Sequence, residues 1–281
     1  MQKIALVTDS ACDLTIDVLN EKNIKLLPLR IIYKDKEYQD KIDISPSEVY
    51  SNLEKEVPST SLPSPELVEN TLYNLEAEGY THVIGISISS GLSGAYNALR
   101  LSLEDHPQLT SFVFDTKILA YPQGEIVLEV SKLIEEGKSF EEIVNYLPAF
   151  REKVFGYFTI GTLDYLKKGG RIGRVAGTVG EILNLKPIIT TDENGIYYTV
   201  TKARGRKQSI SKITEILESY TKNHKCEVTV LQGGCKDEAI KYMDHIKNMP
   251  NIFNLKIAEI SPALGVHAGP GLLGFSIKII D

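Results

Sequence analysis

Cysteine is scarce in this chain: Cys12, Cys226 and Cys235 are the full set, with no CxxC pair and no zinc-ligand spacing among them. An odd count without an export signal reads as reduced thiols in a cytoplasm. Cys12, in a polar loop after an expected strand, reads as buried filler, the alternative being a reactive thiol. Long apolar runs are missing as well. No stretch approaches the roughly 18 apolar residues of a membrane helix, and Asp9 cuts the run in MQKIALVTDS too early for a signal peptide. There is no G-x-x-x-x-G-K-[ST] loop and no G-x-G-x-x-G after a strand, so neither nucleotide fingerprint is present, and no H-E-x-x-H or clustered ligand spacing suggests a metal. Such a chain is poorly equipped to transfer a phosphoryl group unaided. Repeats and low-complexity segments are absent too. A net charge of −6 argues against non-specific nucleic-acid binding by the whole molecule.

What is present is an ordinary globular composition, 42% hydrophobic and 24% charged, over 281 residues. That length accommodates two domains or one large core. In the first half, apolar runs alternate with helical patterns. KIALVT, IKLLPLRII, THVIGIS and SFVFD read as strands; LTIDVLNEKN, SPSEVYSNLEKE, SPELVENTLYNLEAEG and SGAYNALRLSLED read as helices between them. Ser45-Pro46 with Glu48, and Ser64-Pro65 with Glu66, combine a cap, a first-turn proline and an early acid. This alternation predicts a mainly parallel sheet with helices on its faces, and ligands at the carboxyl ends of its strands. Asp9-Ser10, Ser89 to Gly94 and Asp115-Thr116 fall at such ends and are expected to face one crevice.

Residues 136–154 read as a connecting amphipathic helix, after which the grammar changes. FGYFTI, KPIITT, IYYTVTKA, EVTVLQGG, LKIAEIS and LLGFSIKII read as strands; RKQSISKITEILESYTKN and KDEAIKYMDHIKNM read as helices. Short helical pieces are expected in LDYLKKGGRIGR and VGEILNL, and Asp192-Glu193-Asn194-Gly195 signals a hairpin. The expected organisation is an N-terminal α/β domain over residues 1–155 and a C-terminal α/β domain with a mixed or antiparallel sheet over residues 156–281.

Three polar loops stand out: Thr60-Ser61-Leu62-Pro63-Ser64, Ser89 to Gly94, and His267-Ala268-Gly269-Pro270-Gly271. The second joins a strand to a helix N-terminus, where free N–H groups and the macrodipole favour a phosphate or carboxylate. Each loop also reads as a helix cap or turn, and His267 alone as a structural histidine. Gly91-Leu92-Ser93-Gly94-Ala95 approximates the nucleophile elbow G-x-S-x-G, with Ala95 in place of the last glycine. A serine acyl hydrolase using Ser93 and His267 is therefore the competing reading, although nothing nominates its acid. Residues 166–207 carry nine Lys or Arg against three acids, a net +6 that leaves −12 for the remainder. That segment is either a solvated face or a docking surface for an acidic protein or phosphate groups.

At these residues the sequence resembles the DegV family of bacterial fatty-acid-binding proteins. The likeness is carried in order by Thr8-Asp9-Ser10 with Asp13-Leu14, TSLPS, SSGLSG, LKKGGRIG with RGRK, and HAGPG, from Thr8 to Gly271. The resemblance implies two α/β domains with an acyl chain buried between them. It implies a lipid-binding subunit of a fatty acid kinase system, without catalytic residues, cofactor or metal of its own. A separate kinase protein would phosphorylate the bound carboxylate to an acyl phosphate. Carried over by position, the carboxylate contacts fall on Thr60, Ser93 and His267, with the Gly94 N–H as a further donor; Arg171, Arg204 and Arg206 fall in the partner- or phosphate-docking segment. The implied partners are a long-chain fatty acid, the kinase protein and transient contact with a membrane surface, with no nucleic acid. Leu62 departs from the glutamine frequent in the family, and Gly173 and Arg174 stand where serine and lysine are frequent.

Overall fold

The computed structural model describes residues 2–178 and 184–281. Strand β1 (Ile4–Asp9) opens the chain, followed by α1 (Ile16–Glu21), β2 (Lys25–Leu27), β3 (Arg30–Ile32) and β4 (Glu37–Gln39). The apolar run IKLLPLRII is therefore two strands rather than one. Pro28 has no N–H for a ladder, and the strands on either side of it enter different sheets. Next come α2 (Pro46–Asn52), β5 (Ser59–Ser61), α3 (Pro65–Ala77), β6 (His82–Ser87), α4 (Ala95–Glu104) and β7 (Thr110–Asp115). Ser45 and Glu48 form a reciprocal capping box at α2, whereas Ser64 makes no side-chain cap bond at α3.

Strands β2, β1, β6 and β7 form a parallel sheet in that order. Its faces follow the two-residue period. Ala5 and Val7 pack with Val68, Leu72 and Leu99 of α3 and α4. Leu6, Ile84 and Ile86 face the opposite way, towards α5 (Ala120–Glu135) and α6 (Phe140–Arg151). Gly85 keeps the first face closed, because a Cβ there would lie 2.7 Å from Leu99 Cδ2. Strands β4, β3 and β5 make a small antiparallel sheet beside this one.

From β8 (Val154–Thr159) onward the chain builds a second sheet. Its elements are α7 (Asp164–Lys168), β9 (Ile188–Thr191), β10 (Tyr197–Thr201), α8 (Gly205–Thr221), β11 (Cys226–Gly233), α9 (Lys236–Ile246), β12 (Ile252–Glu259), α10 (Pro262–Ala268) and β13 (Leu272–Ile279). A 3-10 stretch covers Gly173–Thr178; the helical piece expected in VGEILNL falls largely on residues 179–183, outside the described residues. The strand order is β10-β9-β8-β13-β11-β12, antiparallel except for the β11–β12 pair. Helices α8 and α9 cover one face with Ile213, Leu217, Ala239 and Tyr242. Helix α5 lies against the other, so its residues share one core with both sheets.

Candidate functional site

A cavity of about 310 Å³ lies where these layers meet, at the low end of the roughly 300–1,000 Å³ of small-molecule sites. Leu29, Ile88, Ile118, Phe158, Leu231 and Leu272 supply much of its apolar wall. Its polar lining draws three distant stretches together. Thr60 sits on β5, paired opposite Ile31 of β3, and Arg30 steadies the loop that follows by donating to the Leu62 carbonyl at 2.8 Å and Ser61 Oγ at 3.2 Å. Ser93 and Gly94 precede α4, and Ser93 Oγ accepts the Ala95 N–H at 3.2 Å. The HAGPG stretch, expected as a loop, begins inside α10, whose last turn carries His267. Thr60, Ser93, Gly94 and His267 all line the cavity, and Thr60 Oγ1 lies 2.7 Å from His267 Nε2.

The charge at this end comes from arginine rather than histidine. Burial, and secondarily the nearby Arg171 guanidinium, push His267 down to about 4, so the imidazole is neutral at physiological pH. Among the described residues its Nδ1 has no hydrogen-bond partner, and it lies against Gly169, where any Cβ would collide with the ring. Arg171 also lines the cavity, held by its bonds to the carbonyls of Gly169 (2.7 Å) and Leu92 (3.3 Å). Arg171, expected from the sequence in the partner- or phosphate-docking segment, thus stands in the cavity wall. The paired glycines before it, which let α7 end abruptly against the ring, were the available signal.

Asp9 and Asp115 do not join Leu92, Ser93 and Gly94 in lining the cavity; they brace the loop from behind. Asp9 is buried and accepts from Ser87 Oγ and the Ile88 N–H (2.8 Å each), the Ala11 N–H and Gln123 Nε2 (3.1 Å each). Burial raises its carboxyl above the usual range, against the pull of those bonds. Asp115 takes the Ser90 and Lys117 N–H groups at 3.1 Å and an ion pair from Lys117 at 2.6 Å. Burial works to raise Asp115, but those bonds outweigh it and hold it below its ordinary value. Ser89 donates to the Gly195 carbonyl at 2.8 Å, tying the loop to the β9–β10 hairpin. Of the four serines from Ser87 to Ser93, Ser93 is the one in the cavity wall.

The profile of the DegV family, described as "Uncharacterised protein, DegV family", matches residues 3–279. The chain belongs to the DegV family. A DegV domain-containing protein of Clostridium perfringens is 52% identical over 278 residues, 99% of each chain. Among solved structures, a fatty-acid-binding DegV family protein from Thermus thermophilus superposes with a TM-score of 0.91 at 29% identity, covering 99% of this chain and 100% of that one. A stearic-acid-binding protein from Eubacterium ventriosum gives 0.88 at 29% identity, covering 99% and 98%. The α/β architecture, a parallel four-stranded sheet beside a mixed six-stranded one, is that of DegV structures.

Within this DegV fold the remaining arginines part company. Arg204 is exposed just before α8, near exposed Lys202 and Lys207. Arg206 is half-buried and its Nε donates to both Glu238 oxygens at 3.0 and 3.1 Å, so it is committed within the protein. Nothing in the geometry supports the hydrolase reading. His267 Nε2 is engaged by Thr60, and among the described residues its Nδ1 meets no carboxylate; the charged group that shifts it is a cation. Among the described residues no group of three His, Cys, Asp or Glu is arranged for a metal ion, and no helix is long and apolar enough to cross a membrane.

Proposed function

We propose that this protein holds one long-chain fatty acid and presents its carboxylate to a separate kinase protein for phosphorylation to an acyl phosphate. The observation that carries the reading is the 2.7 Å Thr60–His267 contact in the wall of a mostly apolar cavity, in a fold shared with fatty-acid-binding DegV proteins. In this reading residues 1–155 and 156–281 are the two units that enclose the chain. Burying about 14 methylenes at roughly 0.8 kcal/mol each gives on the order of 11 kcal/mol of gross hydrophobic gain. Hydrogen bonds to a charged carboxylate add about 1.5–3 kcal/mol each. The tail therefore dominates affinity, while Thr60, Ser93 and the Gly94 N–H fix the head.

Neutral His267 cannot offset the carboxylate's charge. It serves instead to orient the Thr60 hydroxyl, and the attraction comes from Arg171, whose planar fork suits a carboxylate or phosphate. During transfer one carboxylate oxygen bonds to the phosphorus of the kinase's nucleotide while the bridging oxygen leaves with the diphosphate. Nucleotide and metal belong to the kinase. The protein's contribution is to hold the nucleophile still and keep water away. Lys202, Arg204 and Lys207 present exposed charge for docking that partner in the cytoplasm, and the same charge suits transient contact with an anionic membrane surface. Calorimetric titration with palmitate and with methyl palmitate tests the reading. One palmitate should bind per chain and the ester, lacking the charged head, markedly more weakly; equal affinities would contradict a carboxylate site.

A further inference from the structure

Two buried carboxylates that play no part in lining the cavity converge on the helix that carries His267. Asp13 and Asp40 are 4% and 0% exposed. Asp13 Oδ1 accepts the Ser261 N–H at 2.8 Å, and Asp40 Oδ1 accepts the Ala263 N–H at 2.9 Å. Pro262 between them has no N–H, and Ser261 Oγ takes the next donor, Leu264, at 3.3 Å. The opening amides of α10 are thus held by two side chains from the N-terminal part of the chain. Four residues after Ala263, on the same face and one turn away, stands His267.

The segments that deliver these carboxylates have unusual backbone. Asp13 has φ 56° and Lys41, next to Asp40, has φ 69°, both in the left-handed region that non-glycine residues seldom adopt. Lys41 Nζ also donates to the Leu14 carbonyl, binding the two segments to each other. Helix α10 has seven residues, too few to hold its own position through internal hydrogen bonds. Tyr50 of α2 packs on its middle, where a Cβ at Gly265 would lie 3.0 Å from the tyrosine hydroxyl. The helix is gripped at one end by carboxylates and bonded at the other, through His267, to Thr60.

We infer that Asp13 and Asp40 are positioning residues for the head-group end of the cavity: by gripping Ser261 and Ala263 they set how far α10 carries His267 towards Thr60. The functional consequence rests on the fatty-acid reading; the geometric claim does not. Burial pushes Asp13 up to about 8 against the pull of Lys41 and the Ser261 amide, and Asp40 up to about 6 against that of the Ser10 hydroxyl, the Ala263 amide and Lys41. Each carboxyl keeps an acceptor oxygen on its amide whether protonated or not, so the grip needs an acceptor more than a charge. Asparagine should therefore substitute for Asp13 nearly silently, and alanine at either position should not.

The test is imidazole ¹⁵N NMR of His267 in the full-length, lipid-free protein. In the wild type Nδ1 and Nε2 should give the separate resonances of one fixed tautomer. In Asp13→Ala and Asp40→Ala they should move towards the averaged position of a free ring, and Asp13→Asn should restore the wild-type pattern. Should the alanine variants not fold, Asp40→Ser decides. Its shorter acceptor should let the helix shift and move the same resonances. Folded alanine or serine variants with wild-type His267 resonances would overturn the proposal, whatever their melting temperatures. A parallel palmitate titration isolates the functional reading. Asp40→Ala should lose about as much affinity as His267→Ala; a displaced ring with unchanged affinity would leave the positioning role standing and sink its link to lipid binding.

Discussion

Thr60→Val removes one hydroxyl at nearly constant volume, and the structure gives that hydroxyl two tasks. It is a proposed contact for the carboxylate, and it is also the partner of His267 Nε2 at 2.7 Å. Because His267 Nδ1 already lacks a partner among the described residues, the valine leaves both ring nitrogens unsatisfied in a largely buried site. An unsatisfied buried polar atom costs roughly 1–3 kcal/mol. In a chain of this size that corresponds to a fall of roughly 2–10 °C in the melting temperature of the lipid-free protein. Losing a bond to a charged head costs a similar amount in binding, a factor of about 5–150 in palmitate affinity. Ser93→Ala should weaken binding but destabilise the empty protein less, since Ser93 Oγ only accepts the Ala95 N–H at 3.2 Å beside a solvent-reachable helix start. Calorimetric titration with palmitate and thermal unfolding of delipidated protein measure both quantities. A Thr60→Val protein that binds palmitate within twofold of wild type and melts at the same temperature would show that the hydroxyl performs neither task.

His267 is depressed to about 4 from an ordinary 6.5, so its contribution to stability is complete above pH 6.5 and lost as pH falls through 4. Raised Asp13 has the opposite sign, so the effect is read as a difference between variants. The stability advantage of wild type over His267→Gln should shrink by about 3 kcal/mol between pH 7 and 4, and a pH-independent difference in chemical denaturation would contradict it. Reversing Lys202, Arg204 and Lys207 to glutamate together should leave lipid content and melting temperature unchanged while acyl phosphate formation with the cognate kinase falls sharply, and wild-type turnover at low substrate should weaken with salt. Normal turnover by this triple variant at every ionic strength would remove the docking role. A fluorophosphonate probe should not label Ser93 above background, because among the described residues His267 Nδ1 meets no carboxylate; stoichiometric labelling would restore the hydrolase.

Much of the architecture was legible because its signals are local. The Ser45–Glu48 capping box and the Asp192 to Gly195 turn each declare their structure within a few residues. Helix α5, which carries residues 120–135 between the two sheets, was not legible. Its first eight residues are buried on all sides, so no amphipathic period exists, and Pro122 and Gly124 resemble loop punctuation. Pro122 is tolerated because it falls in the first turn, and Gly124 because a Cβ there would strike the Cys12 carbonyl. Short edge pieces such as β4 and β5 owe their existence to β3 rather than to their own residues. At the site, the order of motifs named the residues but not their relations. That Arg171 faces the cavity while Arg206 is held by Glu238 depends on contacts across 32 to 79 positions of sequence, beyond any local pattern.

Mass spectrometry of an organic extract of the purified protein reads whether a fatty acid fills the cavity beneath Thr60, Ser93 and His267. Protein produced in bacteria and purified without detergent should release about one long-chain fatty acid per chain, with less from Thr60→Val. An extract without lipid, from protein that also takes up neither palmitate nor oleate, would show that the cavity is not a fatty-acid site.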